Sequence, residues 1–240
     1  MVDKVNYLRV IGGMVMGLLW GCGESNPGAY VIFIDYTTSA ATFENGNPSR
    51  IQTTVLDLVT DMDREDVLQV YPIHAFTESA TPVLRLSGPE LHGDLNDGMR
   101  RREWMEGTVV PMTETIAKVR FARDRVAQTN IYPVARKIAR LVEAGYIVHA
   151  VLVSDLIQDF NGEDFSTVFG DGSSVDPVQL ARKKVIELGL TGRLEGVKVV
   201  VMIPGSPHGN QMYDKIRAPV NEFWKSFFTH CGATVMIGNL

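Results

Sequence analysis

Cysteine is nearly absent from this sequence: Cys22 and Cys231 are the only two in 240 residues. That excludes a disulfide framework and a cysteine-ligated zinc site. Basic residues are not in excess either. Lys and Arg number 23 against 28 Asp and Glu, a formal charge of −5, which argues against a nucleic-acid partner, because such binding is driven by neutralising phosphates. There is no internal repeat and no low-complexity tract, and 21% charged residues among abundant Val, Ile and Leu exclude intrinsic disorder. A chain of this mass buries about 70% of its unfolded surface. It builds a sizeable core without staples, and one α/β domain is the expected organisation.

What is present begins with an N-terminal targeting pattern. Lys4 and Arg9 precede an uncharged stretch over residues 10–21, a basic region followed by a short apolar one. Its 12 residues reach only about 18 Å as a helix, against about 30 Å for a bilayer core, so a spanning anchor is the weaker reading. The stretch ends in Leu19-Trp20-Gly21-Cys22, followed by a polar, turn-prone segment. This is similar to a bacterial lipoprotein signal, in which a small residue precedes a Cys that is acylated and becomes the new N-terminus. Trp20 departs from the small residue usual at its position. The expected organisation is a signal over residues 1–21, a lipidated Cys22, a short linker over 22–28 and a folded domain over 29–240. An ordinary signal peptide and a buried N-terminal helix are the alternatives.

Beyond residue 28 the chain alternates strand and helix patterns. Apolar runs at 30–34 (YVIFI) and 147–153 read as buried strands, and 197–203 reads as another strand. Residues 67–76 read as a further strand, 82–86 as a short edge strand because of Pro82, and 233–237 as the last strand. Helical spacing marks 48–63, 131–144 with Gly145 as its stop, 177–188 and 210–230. It also marks a charged region over 96–128, interrupted near 107–111. Apolar strands separated by helices predict an α/β fold, a doubly wound, mostly parallel, Rossmann-like central sheet with helices on both faces.

In such a sheet the ligand site lies beyond the carboxyl ends of the strands. The first strand ends in Asp35-Tyr36-Thr37-Thr38-Ser39, Thr129 precedes the helix at 131, and the strand at 147–153 ends in Ser154-Asp155. Two carboxylates and several hydroxyls therefore converge on one rim. A hard cation such as Mg²⁺ wants such a set: oxygen ligands, few of them charged, with positions left for water or a partner.

These residues resemble the metal-ion-dependent adhesion site of the von Willebrand factor type A domain, D-x-S-x-S after the first strand, a Thr before a middle helix and an Asp after the fourth strand. The resemblance covers about residues 29–240. It implies Asp35, Thr37, Ser39, Thr129 and Asp155 as ligands of Mg²⁺ or Mn²⁺, a protein partner whose acidic side chain completes the coordination, and no catalysis. Thr37 replaces the more usual Ser, and Leu156 replaces a Gly that commonly follows the second Asp, so the loop there is expected to approach the metal less easily. With the signal, the resemblance implies a bacterial envelope lipoprotein. Two alternatives stay open: a metal-free scaffold of the same fold, and a metal-dependent hydrolase or phosphatase using Asp35. The D-x-D-x-T pattern of haloacid-dehalogenase-like phosphatases has Thr37 where its general acid would be, and a hydroxyl does not perform that proton transfer near neutral pH.

Other residues carry less. His74 and His149 fall within strand patterns, and His208 lies in a Pro/Gly-rich turn. Residues 162–176 read as a long mobile loop with Glu163, Asp164, Asp171 and Asp176 and exposed Phe160, Phe165 and Phe169, a candidate partner-contact loop on the binding rim.

Overall fold

The structure is a computed structural model that describes residues 26–35, 53, 56–60, 62–111, 128–203 and 211–239. Thr37, Ser39, Cys22 and His208, and half of the helix expected over 48–63, lie outside the described residues.

The main sheet has six strands: β1 (Gly28–Asp35), β2 (Val67–Ile73), β3 (Leu84–Ser87), β4 (Ile147–Val153), β7 (Lys198–Ile203) and β8 (Thr234–Asn239). A separate two-residue ribbon pairs β5 (Asp159–Phe160) with β6 (Glu163–Asp164). Helices among the described residues include α1 (Asp97–Trp104), continued by a π-helical turn over Met105–Val109, α2 (Tyr132–Glu143), the single turn α3 (Phe165–Val168), α4 (Pro177–Glu187) and α5 (Gln211–His230).

The order across the sheet is β3-β2-β1-β4-β7-β8, and every neighbouring pair is parallel except β2–β3. This is the expected doubly wound, mostly parallel α/β architecture. β1 is central: the chain leaves it toward β2 on one side and returns to β4 on the other, so the strand order reverses at β1, and the crevice for a ligand opens there.

Apolar residues on both faces of β1 explain its continuous hydrophobic run. Ala29, Val31 and Phe33 join the core beneath α2, α4 and α5, whereas Ile32 and Ile34 join a second core with Val59, Met62 and Val109. Strand alternation sends successive side chains to opposite faces, so a strand buried on both sides has no polar positions to spare. The first core is dominated by α5: Phe223, Trp224, Phe227 and Phe228 are fully buried and pack with Tyr132 and Phe165.

Two expectations need correction. The strand expected over 67–76 ends at Ile73, and the chain then turns: Thr77 Oγ1 donates to the His74 carbonyl (2.6 Å) and the Phe76 N–H donates to His74 Nδ1 (2.9 Å). These local bonds satisfy the backbone that the ladder would otherwise have held. The segment 162–176 is not an open loop with exposed aromatics. Phe165 and Phe169 are buried against Phe223, and Asp164 and Asp176 are helix N-caps. The Asp176 carboxylate accepts from the N–H groups of Val178 and Gln179. Two of the acidic residues of the expected partner-contact loop thus spend their lone pairs on helix starts.

A close approach holds the loop before β2. A Cβ on Gly88 would lie 1.8 Å from the Asp63 carbonyl oxygen, so only glycine fits. Arg101 of α1 clamps the same loop by donating to the Thr60 and Met62 carbonyls.

Candidate functional site

The site is assembled from the ends of adjacent strands. Ile34 pairs with Val153 in the β1–β4 ladder, so Asp35 and Ser154 leave the sheet side by side. Asp35 is 2% exposed and Asp155 7%, while Ser154 is fully buried. Carboxylates are almost never this buried unless something compensates their charge.

The compensation begins with Ser154. Its hydroxyl donates to Asp35 Oδ2 (2.7 Å) and accepts the N–H of Leu156 (2.9 Å). One side chain thus fixes a carboxylate of β1 and the backbone after β4. Asp155 orients itself: its Oδ1 accepts the N–H of Ile157 (3.0 Å), an Asx turn that holds the carboxylate at the strand end.

Leu156 stands where the resemblance expects glycine, and it adopts φ +65°, the left-handed conformation that a glycine would take without strain. The leucine is held there by packing, since it is fully buried, and by Trp224, whose Nε1 donates to its carbonyl (2.9 Å). Leu156 thus takes the left-handed conformation itself, and α5 locks it there through Trp224. Leu156→Gly relieves the left-handed strain of about 1–3 kcal/mol but forfeits a buried leucine worth about 2–5 kcal/mol. A net loss of stability is expected in urea unfolding; a gain would show that strain outweighs packing.

Thr129, 2% exposed, is tied to the same loop. It forms an antiparallel bridge with Asp159, with N–H···O bonds of 3.2 and 3.0 Å in the two directions. Beside it, the Ile131 N–H donates to Gln158 Oε1 (2.8 Å), and Gln158 Nε2 donates to Asn130 Oδ1 (3.3 Å). Gln158 is 1% exposed and supplies the acceptor for the first free N–H before α2, in place of a capping side chain. The structure therefore brings Asp35, Ser154 and Asp155 together at one rim and fastens Thr129 to the loop that follows them.

Sequence reasoning missed three features here. Ser154 was visible only as a neighbour of Asp155, and its pairing with Asp35 required the strand register. Gln158 carries no motif. Phe76 is 68% exposed in the turn after β2, one strand from Asp35. A pocket of about 660 Å³ also opens beside the rim between α2, the β5–β6 ribbon and α4. In it the Tyr132 hydroxyl donates to Glu163 Oε1 (3.1 Å) and Lys184 pairs with Glu163 Oε2 (3.3 Å). Burial, together with the Glu163 charge, holds the Tyr132 phenol far above its ordinary range.

The polar side chains that the structure brings together at the rim carry oxygen only: the carboxylates of Asp35 and Asp155 and the Ser154 hydroxyl. That chemistry fits Mg²⁺ or Mn²⁺ and does not fit zinc or copper. Among the described residues no group of three or more His, Cys, Asp or Glu side chains gathers; a cation held here would draw the rest of its shell from hydroxyls and water.

No protein-family model and no curated protein matches the chain. Solved structures similar to it include a von Willebrand factor type A protein from Catenulispora acidiphila (15% identity, TM-score 0.40, covering 89% of this chain and 39% of that one). Manganese-loaded TRAP protein from Plasmodium vivax is similar at 11% identity and TM-score 0.42, with 80% of this chain and 62% of that chain covered. The SpRpn10 VWA domain is similar at 12% identity and TM-score 0.33, with 89% and 88% covered. The chain thus spans less than two thirds of the first two.

Proposed function

We propose that this chain is a von Willebrand factor type A-like binding module that engages a protein partner through a divalent cation, without catalysis. Asp35, Thr37, Ser39, Thr129 and Asp155 hold Mg²⁺ or Mn²⁺, directly or through water, and an acidic side chain of the partner completes the shell. The observation that carries this reading is the pair of buried carboxylates, Asp35 and Asp155, at the point where the strand order reverses. The cation supplies charge to a rim that concentrates negative groups; the protein holds Asp35 through Ser154 and the following loop through Trp224.

A cation that binds only the folded state raises the melting temperature. Calorimetry of the chain with Mg²⁺ or Mn²⁺ and with chelator tests the reading: a rise with metal, reversed by chelator, is expected, and no rise at millimolar metal overturns it.

The same proposal places the module at a bacterial envelope membrane, held by acylated Cys22. No helix among the described residues is long and apolar enough to cross a membrane. Metabolic labelling with a fatty acid is expected to mark the wild-type chain and to disappear in Cys22→Ser; labelling that persists refutes the anchor.

A further inference from the structure

We propose that the pocket between α2, the β5–β6 ribbon and α4 binds a small zwitterion with an apolar body, an α-amino acid such as leucine. Its volume of about 660 Å³ falls in the range of small-molecule sites, roughly 300–1,000 Å³, which are concave, largely apolar and carry a few converging polar groups. Every residue that lines it is among the described residues. Charge sets the class of ligand. Six ionised side chains face the pocket, three of each sign: Glu78, Glu163 and Glu187 with Arg136, Lys183 and Lys184. A ligand of net charge upsets that balance as it displaces water, whereas a zwitterion matches both signs.

Distances show which of these groups are open to a ligand. Elsewhere on the surface Arg100 reaches Asp97 at 2.7 Å and Lys215 reaches Asp171 at 2.8 Å, the spacing of closed charge-assisted bonds, about 2.7–2.9 Å. Around the pocket the pairs stand further apart. Lys184 lies 3.6 Å from Glu187 Oε2, Lys183 3.7 Å from Glu187 Oε1 and Arg136 3.5 Å from Glu78 Oε2. The Glu78 Oε2 atom is shielded from solvent and accepts no hydrogen bond. Glu163 differs, since Tyr132 and Lys184 engage both of its oxygens. Charges are therefore balanced across the pocket, while donors on Arg136, Lys183 and Lys184 and acceptors on Glu78 and Glu187 stay available.

An α-amino acid carries its ammonium and carboxylate on one carbon, so it needs an anion and a cation side by side. Glu187 and Lys184, neighbours on one face of α4, meet that need. Arg136 brings a second cation from the facing helix: it lies one turn beyond Tyr132 on the same face of α2, and Lys184 Nζ sits 5.8 Å from the centre of the Tyr132 ring. The carboxylate accepts from Lys184 and Arg136, and the ammonium donates to Glu187. The apolar body lies against Val168, Val175 and Leu180. Val175 is 43% exposed, so covering it removes apolar surface from water, which favours binding.

Ligand-detected NMR titration of the full chain with L-leucine, with chelator present, tests the proposal. Saturable binding is expected, with a dissociation constant on the order of 0.1–1 mM for so small a ligand. Leucinamide lacks the carboxylate and N-acetylleucine the ammonium, and each is expected to bind at least about tenfold more weakly, because a charged group of the pocket is left without its partner. L-Serine, which lacks the apolar body, is expected to weaken by a similar factor. Glu187→Gln and Arg136→Gln are each expected to weaken leucine at least about tenfold without shifting the melting temperature. Both residues belong to partly exposed pairs, and Glu78 keeps the bond donated by Arg140 (2.6 Å). No saturable binding of leucine up to about 10 mM, binding of the two blocked analogues as tight as that of leucine, or indifference to both substitutions overturns the proposal. Chelator is present throughout, so failure here is distinct from failure of the rim reading.

Discussion

Trp224→Ala is expected to destabilise the domain by about 3–5 kcal/mol, the range for deleting a large buried aromatic. Two separate losses contribute. The indole is fully buried, with ring centroids of Tyr132, Phe223 and Phe227 at 5.2, 5.0 and 5.3 Å, so truncation leaves a cavity in the core between α2 and α5. Its Nε1 also holds the Leu156 carbonyl, and removing it leaves a buried acceptor without its donor, a cost of about 1–3 kcal/mol. Trp224→Phe separates the two, because it keeps most of the ring packing and removes the donor. Urea unfolding is expected to rank wild type above Trp224→Phe above Trp224→Ala. A phenylalanine variant as stable as wild type would show that the Leu156 carbonyl does not need the indole. At about 2–4 °C per kcal/mol for a chain of this size, the alanine variant melts at least about 6 °C lower.

The second large effect is at the rim. With free cation at about 100 times its dissociation constant, binding to the folded state adds about 2.7 kcal/mol, a rise in melting temperature of about 5–10 °C. Asp35→Ala is expected to abolish that rise, since it removes one of the two buried carboxylates that face the crevice. Ser154→Ala is expected to shrink the rise without abolishing it, because the carboxylate stays but loses the hydroxyl that orients it. Calorimetry of the three proteins with and without metal decides this. A full rise retained in Asp35→Ala would remove that residue from the site.

The fold was legible in the sequence because β1 and β4 are buried on both faces and therefore read as nearly continuous apolar runs, and because Gly145 marks the end of α2. Strand order and the antiparallel edge were less so: Pro82 pointed to an edge, but direction depends on contacts far along the chain. The segment 162–176 was misread because Phe165 and Phe169 show no periodicity by which to assign a buried face, and a capping aspartate looks the same in sequence as one exposed on a contact loop. At the site, Asp35 and Asp155 were legible from their places at strand ends. The Ser154 relay, the left-handed Leu156 and the lock from Trp224 were not, because each depends on a partner that only the folded chain supplies.

The bond between Ser154 and Asp35 joins residues 119 positions apart, and β2 and β3 are already paired on the other side of β1. Contacts of such separation require a large loop to close before they return any stabilisation, which makes them slow to form. A chain whose first half has folded as β1, β2 and β3 alone therefore has Asp35 in place and no rim. Under the proposed function, cation uptake during refolding would therefore report one event, the docking of β4 against β1, and a newly made chain would gain its binding competence only once that seam has closed.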